Sequence, residues 1–156
     1  SDIALGTARL LGFDLLRNFA YPYFSRDIAE FWRRWHISLS TWFRDYLYIP
    51  LGGSRVTTFI KVRNTFIIFL VSGFWHGANW TFIVWGLLNA LYILPSIVFN
   101  TNRINLDIVA TGKYLPSFSE LFKIVLTFLL TTLAWIFFRS ETVGQAIHYL
   151  TSIFVS

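Results

Sequence analysis

Two histidines in strongly apolar surroundings are the residues of this chain best suited to chemistry. His76 lies in the glycine-flanked run SGFWHG at 72–77, and His36 ends the aromatic and basic run FWRRWH at 31–36. Histidine is the usual general base near neutral pH, and an ionisable side chain inside an apolar segment is costly and tends to be functional. We therefore interpret His76 as a candidate catalytic base and His36 as a second catalytic candidate. Their spacing leaves open whether they meet at one site.

A metal centre is the weaker interpretation of the same two histidines. The chain has no cysteine, which excludes disulfides, thiolate metal sites and a cysteine nucleophile. Asp45 is the only acid between Glu30 and Asp107. Two histidines without a pair of carboxylates are too few ligands for zinc or iron. We expect no metal and no bound cofactor, and we expect His148 near the C-terminus to be solvated.

The composition is that of a membrane protein. Hydrophobic residues make up 55% of the 156 residues and aromatic residues 20%, whereas charged residues make up only 13%. A globular domain has roughly 25% charged residues. Nine of the thirteen basic residues lie within the first 63 positions, where they flank apolar segments. The net charge of +5 therefore indicates a membrane surface or an anionic substrate as partner, and no nucleic acid.

Two apolar runs are long enough to cross a membrane, at residues 80–99 and 121–138. No Asp, Glu, Lys or Arg occurs from 64 to 102, and these 39 residues would make a single helix about 58 Å long. Because the hydrocarbon layer is only about 30 Å thick, we expect this stretch to break near the glycines at 72–79. The predicted fold is all-α, a polytopic transmembrane protein with interfacial or re-entrant helices.

The remaining segments predict helices that do not cross a membrane. We expect residues 1–20 to form a helix of mixed character, and residues 26–48 to form one continuous helix after an N-cap at Ser25. The residues that this second helix would place on one face are Trp32, His36, Ser40 and Phe43. Its interleaved aromatic and basic residues also fit a simple interfacial anchor. The glycine pair at 52–53 predicts a turn, and residues 140–154 predict a short amphipathic helix.

Five stretches resemble the membrane-bound O-acyltransferase family, in its alginate O-acetyltransferase branch. The two longest and most specific read FWRRWHISLS at 31–40 and RDYLYIPLGG at 44–53. The others read SGFWHG at 72–77, NFAYPY at 18–23 and AWIFFR at 134–139. The resemblance covers nearly the whole chain. It implies a helical membrane fold enclosing a tunnel, of which residues 1–156 would be a partial, C-terminal part without the N-terminal crossing helices.

The resemblance implies an enzyme in which His76 of the Trp-His-Gly motif is catalytic and His36 is the second important histidine. The expected reaction moves an acetyl group from an activated donor to hydroxyls of a cell-envelope polysaccharide, as in alginate O-acetylation. Acetyl-CoA or an acyl carrier would be the co-substrate. The predicted substrate-binding residues are Trp32, Trp35, Arg44, Trp75 and Asn79. The tryptophans would exclude water, the arginine would meet an anionic donor, and the asparagine would bind substrate or cap the following helix.

The partners that the resemblance implies are membrane lipids, the acyl donor and a polysaccharide acceptor, reached directly or through a periplasmic or extracellular acetyltransferase. The expected location is the inner membrane, with several crossings. Other functions stay open. The teichoic acid D-alanyl transferase branch shares both histidine motifs, so the acyl group and polymer could differ. A non-catalytic scaffold or transport subunit and a soluble aromatic-rich domain are the remaining alternatives.

Overall fold

All regular structure in the described part of the chain is helical. A computed structural model describes residues 2–112 and 114–155, and no strand occurs among them. The α-helices are α1 (Asp2–Leu10), α2 (Ile28–Arg34), α3 (Ile37–Phe43), α4 (Thr58–His76), α5 (Trp80–Val98), α6 (Phe118–Arg139) and α7 (Val143–Val155). A short 3₁₀ turn spans Pro22–Phe24, and a π-helical turn spans Arg44–Tyr48. The all-α prediction is confirmed for these residues.

The two predicted crossing segments are the helices α5 and α6. They have 19 and 22 residues and are long and apolar enough to span a membrane. At about 1.5 Å per residue, they match a hydrocarbon layer about 30 Å thick. The outward face of α6 is apolar, and its exposed side chains include Leu121, Phe122, Val125, Leu126 and Leu129. Such a face suits lipid or further protein better than water.

The helices α4 and α5 form a tightly packed hairpin. A Cβ at Gly73 would collide with the carbonyl oxygen of Phe82, and a Cβ at Gly86 with that of Phe69. The predicted break at 72–79 is therefore wrong in its extent, because α4 continues through Gly73 to His76 and only residues 77–79 form the turn. Gly73 lets the backbones of α4 and α5 approach each other and does not unwind α4.

The prediction of one continuous helix over 26–48 is wrong. The chain breaks at His36, whose backbone is left-handed with φ 45° and ψ 55°, an uncommon state for a residue other than glycine. The segment before α2 supplies backbone hydrogen-bond partners on both sides of the break. Ala20 N–H donates to Arg34 O at 2.9 Å, and Ile37 N–H donates to Asn18 O at 3.0 Å. Since these partners come from another segment, the residues around His36 do not by themselves predict that the helix ends there.

The predicted helix over residues 1–20 is also wrong, because α1 ends at Leu10 and Gly12 follows in a left-handed turn with φ 83°. The predicted N-cap at Ser25 is wrong, because α2 begins two residues later than this cap requires. Asp27 is the N-cap of α2, and its carboxylate accepts the Glu30 N–H at 2.6 Å. Ser25 instead donates to Pro22 O at 2.6 Å.

The centre of the described part is α2, a short helix that packs against both α5 and α6. Phe31 of α2 is almost completely buried, as is Trp85 of α5. The predicted terminal helix is confirmed as α7, which packs against α5 and α6. The glycine pair forms the predicted turn, with φ 104° at Gly52 and 58° at Gly53. The fold therefore places the FWRRWH run between the two helices that suit a membrane.

Candidate active site

His76 is surrounded by aromatic rings from three helices. Its ring centroid lies 5.1 Å from that of Trp75, 6.1 Å from Phe82, 5.4 Å from Trp85 and 5.0 Å from Phe138. Three of these contacts are edge-on, with interplanar angles of 74° to 89°. We call these five residues the His76 layer. Edge-on packing holds the imidazole through the ring quadrupoles and uses neither ring nitrogen.

The imidazole of His76 keeps its nitrogens available. The ring is half-buried, and none of residues 2–112 and 114–155 hydrogen-bonds to it. A general base needs a free nitrogen within reach of the proton that it takes. The layer therefore holds the ring in place while leaving both nitrogens open to a substrate.

His36 lies at the break between α2 and α3. Its ring packs against Phe19 at 6.0 Å, and Phe19 also meets Trp35 edge-on at 4.8 Å. The Nδ1 atom of His36 is buried and has no hydrogen-bond partner within the described residues. A buried polar atom without a partner is rare in a folded protein and calls for an explanation.

The structure brings both histidines to one aromatic region. They are near enough to interact electrostatically. Ring contacts also join their surroundings: Trp85 meets Trp32 at 5.8 Å, Trp32 meets Phe31 at 5.6 Å, and Phe31 stacks on Trp35 at 5.6 Å. The two histidines therefore belong to one connected aromatic region, and a shared site stays a prediction.

Asn89 connects this aromatic region and was missed by the sequence analysis. Its Oδ1 accepts a hydrogen bond from Trp32 Nε1 at 3.3 Å, and its Nδ2 donates to Trp85 O at 2.8 Å. Trp85 and Phe138 were missed too. The available signal was an amide in the middle of a predicted crossing helix, since polar groups in such helices tend to be functional.

An apolar cavity of about 180 Å³ lies between α2, α3, the π-helical turn and α4. Its lining residues are Trp32, Leu39, Ser40, Phe43, Arg44, Tyr48, Ile68, Phe69 and Ser72. Two predicted substrate-binding residues, Trp32 and Arg44, thus line one cavity. Neither histidine lines it, although Ser72 on its wall precedes His76 by one helical turn.

Arg44 also faces a second, more polar pocket of about 350 Å³, which it shares with Trp32 and Arg33. Its guanidinium is exposed and donates to Asp45 at 2.7 Å. That hydrogen bond raises the pKa of Arg44 and lowers the pKa of Asp45. Arg44 therefore stays charged and presents a cation at the mouth of the apolar cavity.

The other predicted substrate-binding residues take different positions. Trp75 belongs to the His76 layer and has 60% of its surface exposed. Trp35 packs against Trp135 at 5.1 Å, on the His36 side. Asn79 caps α5 by accepting the Thr81 N–H at 3.1 Å and donates to Glu141 O at 2.9 Å, which confirms the capping alternative.

A cluster of charged side chains lies at the N-terminal end of α2. The Arg26 side chain is only 4% exposed and pairs with Glu30 at 3.2 Å, Asp107 at 2.8 Å and Glu120 at 3.4 Å. Glu30 also accepts from Arg34 at 2.5 Å. Burial alone would lower the pKa of Arg26, but the hydrogen bonds to Glu30 and Asp107 raise it overall. This Arg26 cluster ties α2 to α6 and to the loop between α5 and α6.

The described residues contain no group of three or more His, Cys, Asp or Glu side chains able to hold a metal ion. Fold and site together define a helical membrane protein with a histidine-centred site. The chain belongs to the membrane-bound O-acyltransferase family, whose model matches residues 1–128. The matched region includes both histidines and most of the aromatic rings around them.

Three relatives show which members of the family the chain is similar to. The chain is 44% identical over 146 residues to the probable alginate O-acetylase AlgI of Pseudomonas aeruginosa, covering 94% of this chain and 26% of the relative. It is 40% identical over 149 residues to the peptidoglycan O-acetyltransferase of Helicobacter pylori, covering 96% and 27%. It is 40% identical over 98 residues to the teichoic acid D-alanyltransferase of Streptococcus thermophilus, covering 58% and 24%. The chain spans about a quarter of the length of these relatives, and the predicted family resemblance is confirmed.

Proposed function

We propose that this chain carries the reaction site of an O-acyltransferase that moves an acetyl group from an activated donor to hydroxyls of a cell-envelope polysaccharide. The observation that carries the proposal is the His76 imidazole, held by four rings with both nitrogens unpaired in the described residues. The similarity to a probable alginate O-acetylase and to a peptidoglycan O-acetyltransferase supports the acetyl group and the polysaccharide class.

His76 acts as the general base. It takes the proton from the acceptor hydroxyl while that oxygen attacks the carbonyl carbon of the thioester. The new O–C bond forms, the C–S bond breaks, and the departing sulfur receives the proton from the imidazolium. General-base assistance of this kind contributes about 10²- to 10⁴-fold. The surrounding rings exclude water, which limits hydrolysis of the donor.

His36 is the second catalytic residue. Its buried and unpartnered Nδ1 supports a role in which it binds the donor or acceptor, or shares the transferred proton. Its left-handed backbone supports the same role, because strained residues concentrate at functional sites.

The acyl donor, acetyl-CoA or an acyl carrier, is a co-substrate and not a resident cofactor. The apolar cavity beside Trp32 suits the uncharged part of such a donor, and Arg44 suits its anionic part. Trp35 and Trp75 complete the aromatic walls on the His36 and His76 sides. Asn79, already bonded twice, supports the site by fixing the turn after His76 and offers its remaining capacity to substrate.

The setting is an inner membrane that the whole protein crosses several times, with the short helices near the interface or re-entrant. Two apolar helices and the family support a membrane location. The polysaccharide meets the acetyl group directly or through a periplasmic or extracellular acetyltransferase partner. Lipids cover the outward face of α6, where large apolar side chains are exposed.

A second candidate is transfer of a D-alanyl or other acyl group to a cell-wall polymer. The similarity to a teichoic acid D-alanyltransferase favours it. A third, a non-catalytic scaffold or transport subunit, differs in donor turnover, because it would bind the donor without releasing a free thiol. Supplying purified protein with acetyl and D-alanyl thioesters and measuring thiol release separates all three.

The test of the proposed function is His76→Ala, introduced into the intact protein in cells that carry no unaltered copy, with the acetyl content of the polymer as readout. Acetylation should be lost at an unchanged protein level. His148→Ala is the matched control, because His148 is exposed on α7 and should leave acetylation unchanged. Full acetylation by His76→Ala would remove this residue from the mechanism, and His36→Gln measured alongside separates an essential from a supporting second histidine.

A further inference from the structure

Asn89 is an amide at the centre of a helix that is long and apolar enough to cross a membrane. Its side chain is almost completely removed from solvent, with 2% of the residue exposed. An amide in such surroundings is costly unless its donors and acceptors are paired. Packing alone would be served as well by an apolar residue, so the amide needs a reason that lies in its hydrogen bonds.

The hydrogen bonds of Asn89 tie the Trp32 indole to the main chain of α5, one turn from Trp85. Its Oδ1 accepts from Trp32 Nε1 at 3.3 Å, and its Nδ2 donates to the main-chain oxygen of Trp85 at 2.8 Å. Among the described residues, the bond to Trp32 is the one side-chain hydrogen bond between α2 and α5. It therefore links the Trp32 side of α2 to the middle of α5.

The two indoles pass this constraint to His76. The Trp32 and Trp85 rings meet at 5.8 Å and 72°, and Trp85 meets His76 at 5.4 Å and 89°. Phe138 closes the layer from α6, at 5.3 Å from Trp85 and 5.0 Å from His76. Since Trp85 is nearly buried, its ring cannot turn without displacing these neighbours.

We propose that Asn89 is a positioning residue for acyl transfer, which orients the Trp32 indole and, through the packing of Trp32 on Trp85 and of Trp85 on His76, the imidazole of His76. The inference rests on the proposed function of His76. Asn89 touches neither the reacting atoms nor the imidazole. It acts by keeping the base in one orientation and the aromatic wall closed to water.

Loss of the amide should lower kcat more than it changes KM for the donor. A displacement of the base by about 1 Å costs roughly 100-fold, so Asn89→Val should reduce kcat by about 10- to 100-fold. The fraction of donor that is hydrolysed and not transferred should rise, because a loosened wall admits water. A merely destabilised protein would lose transfer and hydrolysis in equal proportion.

The experiment is a double-mutant cycle on the native enzyme in membranes, with an acetyl thioester as the probe. The variants are Asn89→Val, Trp32→Phe and the double variant, where phenylalanine keeps a ring and removes the indole N–H. Ser96→Ala is the matched control, because Ser96 lies on the same helix and its hydroxyl bonds only to Ile93 O at 2.7 Å. Transfer, hydrolysis and folded protein are measured for each variant.

The proposal is supported if both single variants lower kcat and raise the hydrolysed fraction, while Ser96→Ala behaves as wild type. In the double variant, the loss in activation free energy should be smaller than the sum of the two single losses. It is overturned if Trp32→Phe and Asn89→Val retain wild-type kcat, if their effects add, or if the transfer-to-hydrolysis ratio stays constant. Where Asn89→Val does not fold, Asn89→Ala takes its place in the cycle and the same ratio decides. Failure of the proposed function itself would instead show as transfer retained by His76→Ala.

Discussion

The Arg26 cluster and the His76 layer hold helices together by opposite means. In the Arg26 cluster, one buried guanidinium meets three carboxylates at 2.8 to 3.4 Å and a main-chain oxygen, that of Asp107, at 2.9 Å. In the His76 layer, ring edges and faces meet at 5.0 to 6.1 Å, and no described residue hydrogen-bonds to the imidazole.

The difference separates a group committed to structure from a group available for reaction. The hydrogen bonds that raise the pKa of Arg26, against the effect of its burial, keep it charged and engage all three of its side-chain nitrogens. Aromatic packing positions His76 while leaving its nitrogens unpaired. The two regions therefore differ in what a substitution should damage, stability at the cluster and turnover at the layer.

The largest expected effect is on turnover at the His76 layer. His76→Gln, which keeps much of the side-chain volume, should lower kcat by about 10²- to 10⁴-fold because the general base is lost. The free energy of unfolding should change little, since no hydrogen bond within the described residues is broken. Transfer assays and thermal denaturation on the same preparation measure both. A large loss of stability with normal turnover in the folded fraction would reverse the assignment of the two regions.

The next effect is on stability at the Arg26 cluster. Arg26→Gln leaves the buried Glu30 with fewer cationic partners and should cost about 3 to 5 kcal/mol, as when one partner of a buried ion pair is removed. The exposed pair of Arg9 and Asp14, at 3.6 Å, supplies the control. Arg9→Gln should cost less than about 1 kcal/mol. Denaturation midpoints of the two variants compare them, and equal costs would show that burial of the cluster is not what matters.

A smaller effect tests the packing that brings the layer together. Gly73→Ala places a methyl group against the carbonyl oxygen of Phe82 and should separate α4 from α5, at a cost of about 1 to 3 kcal/mol. Gly6→Ala in α1 meets nothing within 4 Å and should be neutral or slightly stabilising. Unfolding curves and turnover of the two variants report the difference. A neutral Gly73→Ala would mean that the helices have room to adjust.

The smallest effect is the pH dependence of the Arg26 cluster. The hydrogen bond from Arg26 lowers the pKa of Asp107 from 3.8. A carboxylate with a lowered pKa in the folded state stabilises the protein above its unfolded pKa, and this contribution is lost as pH falls through the folded pKa. Stability measured from about pH 5 downwards should therefore fall more for wild type than for Asp107→Asn. If the stability of wild type and of Asp107→Asn falls equally with pH, the pairing of Asp107 with Arg26 does not contribute to stability.

Much of the fold could be predicted from local sequence, because the forces involved act within one segment. The runs that form α5 and α6 are apolar over the length of a membrane crossing, and the structure shows helices there. The cap at Asn79 and the turn at Gly52 follow from residue type and spacing. The motifs at 31–40 and 72–77 also mark both histidines as candidate site residues.

The break at His36 could not be predicted, because its cause lies elsewhere in the chain. Asn18 accepts from Ser38 N at 3.0 Å and from its hydroxyl at 2.6 Å, so a residue twenty positions earlier caps α3. The predicted face shared by Trp32 and His36 does not exist as a continuous helix face. Periodicity assumes an unbroken helix, and here a distant partner interrupted it.

The amino-acid sequence by itself determined which segments are apolar enough to become long helices and which imidazoles are candidates for the chemistry, since both depend on residue type and near neighbours. Tertiary structure alone decided that the two histidines share one aromatic region, that Asn89 links Trp32 to Trp85, and that Arg26 meets acids 81 and 94 positions away. Contacts between residues so far apart arise only when helices pack, because packing and not spacing brings their side chains within reach.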